Sequence, residues 1–299
     1  MLPHSRALLQ IHFCVVLWGF TAILGKLITL AALPLVWWRM VLVAGALLLT
    51  QRFWAGLRVL PGRLVGIYAG IGVLVALHWL TFYGSIKLSN ASVAATCMAL
   101  TPVFVSLVEP FLVRRRFDAA ELIFGLAVIP GVALVVGGTP TGMRMGIAVG
   151  ALSAFCVSIF ASLNKRFIAN SAALTVTGVE MGAGALFLAA AGALLPLETA
   201  VFAWPSQRDA LLLVVLAMGC TLLPFALSLI ALRHLSAFSA SLAVNLEPIY
   251  AIVLAIVLLD EQRELTPLFY VGVAIILIVV FMHPLWAGRI TPASVVPKA

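Results

Sequence analysis

Charge is the scarcest commodity in this sequence. Charged residues fill 9% of its 299 positions, against about 25% in an ordinary soluble domain. A chain so poor in charge cannot wet the surface of a soluble fold. Acids are fewer still, ten Asp and Glu against eighteen Lys and Arg, which leaves little material for a carboxylate-rich metal site. No HExxH pair, phosphate-cradling GxxxxGK[ST] loop or GxSxG elbow occurs, so zinc hydrolysis, nucleotide hydrolysis and serine-elbow chemistry lack their usual residues. Neither a metal nor a cofactor is expected. Cysteine is sparse too. Cys14, Cys97, Cys156 and Cys220 each lie inside an apolar run without metal-ligand spacing, as small packing residues do.

What the sequence has instead is apolar length. Hydrophobic residues make up 64% of it, and a bilayer-crossing helix needs about 20 of them in a row. Ten such runs stand at 8–28, 34–51, 64–86, 90–113, 119–137, 145–164, 172–195, 210–232, 236–259 and 267–286. The connections are short. The fold expected is all-α, a polytopic membrane protein of ten transmembrane helices in one membrane domain over 1–299. The first run is longer than a signal-peptide core and no small-x-small cleavage site follows it, so it is taken as an uncleaved span.

The net charge of +8 would suggest nucleic acid in a soluble chain. Here the basic residues cluster between apolar runs, and no nucleic-acid partner is expected. With both termini cytoplasmic, twelve Lys and Arg fall on the inner side and five on the outer, with Arg39 inside a span. That bias follows the positive-inside rule.

The chain also repeats itself. A shift of 146 lays IKLSNASVAATCMALTP (86–102) over LRHLSAFSASLAVNLEP (232–248) without a gap, matching Lys87 to Arg233 and Pro102 to Pro248. Five spans per repeat is an odd number, so the halves, 8–137 and 145–286, would enter the membrane in opposite directions. Inverted repeats of this kind build many secondary transporters, with the solute bound near the midplane between them.

The residues LWGFTAILGKL in the first span, PLVWWRM in the second, LTPVFVSLVEPFLVRRRFDAAELIFGLAVIPGVALV in the fourth and fifth, and LEPIYAIVLAIVLLDEQRELTPLFYVGVAIILIVV in the last two resemble the drug/metabolite transporter superfamily, EamA family. The fourth span departs from the family pattern by ending in Arg114-Arg115-Arg116, where a Gly-Glu pair is usual. The resemblance implies ten helices in two five-helix EamA repeats, a bacterial inner-membrane location, and alternating-access transport of a small organic solute. Export is implied by the family alone.

Glu247 leads the candidate substrate-binding residues. An acid at mid-span costs about 2.5–3.5 kcal/mol to insert and normally faces a cavity or a partner. Pro248 beside it cannot bond the carbonyl of Val244, so a kink with a free carbonyl is expected there, and a matching kink at Pro102. Thr101 stands where the second repeat has its acid. Asn245 is a further polar candidate on the Glu247 helix. In the third span, His78 and Phe82 share one helical face and Trp79 and Tyr83 another, which would suit an aromatic wall; His78 aligns with Pro224 under the same shift. Arg39 could hold a carboxylate. Glu109 and Glu180 are expected nearer the cytoplasmic side, as partners of loop arginines. Gly138, Gly142, Gly146 and Gly150, with Gly178 and Gly182, have the four-residue spacing of close helix packing.

A substrate ammonium or a coupling proton on Glu247 and a carboxylate on Arg39 together suggest an amino acid or a similar solute. Alternatives are a multidrug exporter of lipophilic cations, with Glu247 as counter-charge and Arg39 structural, and, from another class, a membrane enzyme or scaffold.

Overall fold

The computed structural model describes residues 3–113, 119–168, 171–194, 200–231, 234, 243–244 and 246–290, and every regular element among them is helical. Helices are what apolar runs must form in hydrocarbon, where each backbone N–H and C=O needs a partner within its own segment. In chain order they are α1 (Pro3–Leu27), α2 (Ala32–Leu48), α3 (Gln51–Val59), α4 (Gly62–Leu88), α5 (Ala91–Met98), α6 (Thr101–Val113), α7 (Ala119–Gly138), α8 (Arg144–Phe167) and α9 (Ala173–Leu194). Then come α10 (Gln207–Val214), a π-helical segment (Val215–Leu222), α11 (Leu223–Ala231), α12 (Glu247–Leu259) and α13 (Pro267–Ile290). Among the described residues six segments are long and apolar enough to cross a membrane, or seven if α2 and α3 are one bent span.

Two expectations change. Residues 52–63 do not form a plain connection: α3 leaves α2 at 86°, started by Thr50, whose hydroxyl accepts from the Phe53 N–H at 3.3 Å. Phe53 is buried while Arg52 and Arg58 stay exposed. At Pro102 the fourth span stays one segment over 91–113, but a two-residue turn at 99–100 interrupts its helix. Proline cannot donate to the carbonyl of Met98, so α5 stops there and tightens through Ala99 N–H to Thr96 and Leu100 N–H to Cys97. Helix α6 restarts with Pro102 as its second residue. Pro248 is likewise the second residue of α12. The two restarted helices are each 13 residues long.

Helix α4 packs along α8 and α9, α7 along α13, and α2 along α9; α1 lies against α11 and α12, and α5 against both α8 and α12. Two of these contacts are backbone-close. A methyl on Gly138 would meet the Phe269 nitrogen at 2.2 Å, and one on Gly72 the Glu180 carbonyl at the same distance. Of the spaced glycines, Gly146 and Gly150 also face close neighbours, whereas Gly142 and Gly182 border open space.

One end of the bundle is tied by carboxylates from the second half of the chain. Asp260 takes a left-handed conformation (φ 55°) at the end of α12, which an aspartate tolerates better than most residues. Glu261 follows and caps α5, accepting from the Ala91 N–H at 2.9 Å and the Ser92 N–H at 2.7 Å. Those N–H groups have no partner inside α5 and carry the positive end of its dipole. Asn90 adds a bond to Glu264 at 2.9 Å. Asp209, in the first turn of α10, accepts from the Thr29 backbone at 3.0 Å and its hydroxyl at 2.5 Å, and Lys87 donates to the carbonyl of Ile28.

Candidate functional site

The site is built around a buried guanidinium. Arg39 on α2 is 2% exposed, and a charge so placed is tolerable only with its donors engaged. Nε donates to the Thr221 hydroxyl at 2.6 Å and Nη1 to the Tyr83 hydroxyl at 2.8 Å. Nη2 reaches the carbonyl of Cys220 at 3.5 Å. The guanidinium carbon lies 3.7 Å from the centre of the Trp79 ring, close enough for a strong cation–π contact.

Local sequence explains why a carbonyl waits there. Pro224 has no N–H to give to Cys220, four residues earlier, so that oxygen is left over by the helix. The strain is taken up by the π-helical stretch Val215–Leu222, a form that recurs at functional sites. Thr221 donates its own proton to the carbonyl of Leu216 at 2.7 Å, which turns the hydroxyl oxygen to Arg39 as an acceptor. Thr221 and Cys220 were not among the sequence candidates. Their signal was Pro224, four positions after Cys220 inside an apolar run.

Glu247, the first residue of α12, is half-buried and lies within the electrostatic reach of Arg39 and Tyr83. No ion pair joins Glu247 to Arg39 among the described residues. The acid and the base therefore lie near each other without neutralising each other by contact among the described residues. Tyr83 packs towards α1, its ring so near Gly25 that a methyl there would overlap it at 2.4 Å.

The other candidates divide. Trp79 and Tyr83 meet Arg39 as one face of α4. His78 turns instead to α8, its Nδ1 lying 2.8 Å from the Ser153 hydroxyl and 3.2 Å from the Ser153 carbonyl. Ser153 gives its single proton to the carbonyl of His78, at 2.8 Å, so Nδ1 is the donor to Ser153. Thr101 occupies in α6 the position that Glu247 occupies in α12, half-buried. Asn245 lies outside the described residues, as do the loop arginines 114–116. Among the described residues no arginine bonds Glu180, which is wholly buried on α9 where α4 packs its backbone onto that turn through Gly72. All four cysteines are buried free thiols. Among the described residues no group of three or more His, Cys, Asp or Glu is placed to hold a metal.

The family model described as the EamA-like transporter family matches the chain twice, over residues 5–137 and 144–283. The chain belongs to that family. This EamA-like protein is thus a secondary transporter of the drug/metabolite transporter superfamily and an integral membrane protein, not an enzyme. A solved structure titled "Crystal structure of protein" superposes on it with a TM-score of 0.65 at 19% identity, covering 96% of this chain and 99% of that one. At that identity the likeness is one of fold. No curated protein matches the chain.

Proposed function

We propose that this EamA-like protein moves an amino acid or an amino-acid-like solute out of the cell by alternating access, with the solute held between Glu247 and Arg39. The observation that carries this reading is a half-buried acid, Glu247, within electrostatic reach of the buried guanidinium of Arg39, which Trp79 and Tyr83 contact. A zwitterion has one group for each. Its ammonium goes to Glu247, and its carboxylate to the edge of Arg39 left open by Tyr83, Thr221 and Cys220.

The architecture we infer is ten helices in two inverted five-helix repeats, 8–137 and 145–286. Its support is pairwise. With spans numbered in chain order, the contact of the third with the sixth (α4 with α8) has its counterpart in the eighth with the first (α11 with α1). Fourth against sixth (α6 with α8) is answered by ninth against first (α12 with α1). Second with seventh, fourth with ninth and fifth with tenth (α2–α9, α5–α12, α7–α13) are each their own counterpart, as elements beside a two-fold axis are. Both termini lie in the cytoplasm of a bacterial inner membrane on the Lys and Arg bias. The carboxylate-tied end is then the outer side, and rocking of the halves must break those ties. Glu247 can also take up a coupling proton in place of the ammonium.

One observation favours the lipophilic-cation exporter. Most of Arg39's donors are already spent on the protein, while among the described residues no cation pairs with Glu247. A thermal-shift screen of the purified chain against amino acids and lipophilic cations separates the two, because a ligand selective for the native state raises Tm. Amino acids are expected to raise Tm in the wild type and to lose that effect in Arg39→Ala. A Tm raised only by cations, and unchanged by Arg39→Ala, overturns the amino-acid reading.

A further inference from the structure

Glu180 is the acid the site does not use. It lies on α9 with 0% exposure, and among the described residues neither carboxylate oxygen has a hydrogen-bond partner. Asn164 on α8, 3% exposed, also presents an unpartnered Oδ1. Its amide is near enough to act on the Glu180 carboxyl, yet no bond within hydrogen-bond geometry joins them. Among the described residues, both Glu180 oxygens and Asn164 Oδ1 are thus buried acceptors with no bonded donor.

The charged and titratable groups on the packed elements are committed elsewhere or too remote. On α2, Arg39 is held by Tyr83 and Thr221. On α4, the Tyr68 hydroxyl donates towards Phe167 and Ser171, His78 is bonded to Ser153, Tyr83 meets Arg39, Lys87 is tied to Ile28, and Arg63 is exposed. Arg52 and Arg58 on α3 are exposed. On α8, Arg166 is exposed and bonded to Leu112, and Lys165 engages a partner of its own, with no hydrogen bond to either Glu180 oxygen. Helix α11 carries no titratable group, and the π-helical segment only Cys220.

An ionised carboxylate here would be a buried charge without hydrogen bonds, the costliest state a side chain can take. One proton removes the charge, and a neutral carboxylic acid can both donate and accept hydrogen bonds beside the Asn164 amide. A sodium ion fits less well. Its sites in carriers draw on unwound backbone carbonyls, and α9 is an unbroken helix from Ala173 to Leu194.

We propose that Glu180 is a proton-binding site of this carrier, filled while α4 packs on α9 through Gly72 and emptied to water when those helices separate. The proton leaves the carboxyl oxygen for a water molecule admitted between α4 and α9, and returns by the same route. Only the helix separation rests on the carrier reading; the bound proton does not.

Infrared difference spectroscopy of the full-length protein in lipid vesicles, with pH as the probe, tests the site without any substrate. The wild type and Glu247→Gln are expected to show the carbonyl stretch of a protonated, buried carboxyl at neutral pH. Glu180→Gln should lack it, and Glu180→Asp should keep a displaced one. Glutamine copies the neutral acid, so Glu180→Gln should unfold at the wild-type Tm in acid. As pH rises above the ordinary carboxylate range, the wild type should lose about tenfold more in folding equilibrium constant per pH unit than the variant, the slope of one extra proton held by the folded state. A band indifferent to Glu180→Gln, equal slopes, or a sodium-dependent Tm lost in Glu180→Gln would each overturn the proposal. Absence of transport with the band intact would sink the carrier reading alone.

Discussion

Helices α6 and α12 stand 146 positions apart, have the same length and begin one residue before a proline, yet one opens on Thr101 and the other on Glu247. The same contrast recurs in the spans that cross them. Helix α4 runs unbroken through His78, whereas its counterpart is interrupted by a π-helical segment ahead of Pro224. Backbone geometry is shared at the two proline starts but not along these spans, and the polar chemistry differs at both. The acid Glu247 and the spare carbonyl of Cys220 come from the second segment, while the guanidinium of Arg39 and its aromatic wall come from the first. A site assembled from unlike halves suits a solute with unlike ends.

The largest break in that comparison should come from Arg39. Its counterpart under the same shift is Ala185, so Arg39→Ala makes the first segment resemble the second. Three hydrogen bonds from a charged group are lost, the two shorter ones at about 1.5–3 kcal/mol each, and uptake into proteoliposomes should fall about 100-fold or more. Arg39→Lys should not rescue it. A lysine ammonium is a point charge that cannot bond Tyr83 and Thr221 together while lying over Trp79. Uptake near the wild-type rate in either variant would mean that Arg39 is structural.

Exchanging the acid is the next test. Glu247→Thr should weaken solute binding about 10- to 100-fold, the worth of one charged hydrogen bond. Thr101→Glu places an acid at the matching point of α6, where Arg39 lacks a counterpart, and should cost about 2.5–3.5 kcal/mol of stability. The double exchange should not restore binding, measured by solute-induced shifts in Tm. Restoration would show that the two helix starts are equivalent and that the chemistry is symmetric after all.

The sequence carried much of this comparison. Apolar run length located the helices, and the 146-residue shift paired Pro102 with Pro248 before any coordinates. Arg39, Trp79, Tyr83 and Glu247 were legible because a charge in hydrocarbon needs a reason and helical spacing put the aromatics on one face. What stayed hidden depended on partners distant in sequence. His78 looked like part of the wall, but Ser153, 75 residues away, decides where its ring points. Glu180 looked superficial because its depth is set by Gly72 on another helix. Proline marked the breaks correctly, but whether a break becomes a kink, a restart or a π turn depends on what packs around it.

Pro224→Ala separates stability from function. Restoring the N–H lets the chain bond Cys220 internally and regularise the π-helical stretch, which should raise stability by up to about 3 kcal/mol. The same change withdraws the carbonyl from Arg39 and moves Thr221, so solute affinity should fall about fivefold, less than a full charged hydrogen bond is worth because the contact is long, at 3.5 Å. Thermal unfolding and solute binding should therefore move in opposite directions. If both rise, the π segment is a packing defect with no part in the site.

The smallest effect expected is at the tied end, where the comparison concerns acids rather than prolines. Glu261→Gln keeps the shape of the α5 cap and one acceptor, but removes the negative charge facing the helix dipole, a loss of about 1 kcal/mol. Such a loss would hardly change Tm in a bundle this apolar. It should matter more to the balance between conformations, because Glu261 bonds across the two matched segments and those bonds must break when they rock apart. A shift of about 1 kcal/mol is roughly fivefold in a two-state equilibrium. A cysteine placed by Ala91→Cys, with the four native thiols buried, should then label about fivefold faster from the side of the tied end in Glu261→Gln. Unchanged labelling would mean that this carboxylate merely caps a helix, and that the barrier to opening lies in the apolar contact of α7 with α13 instead.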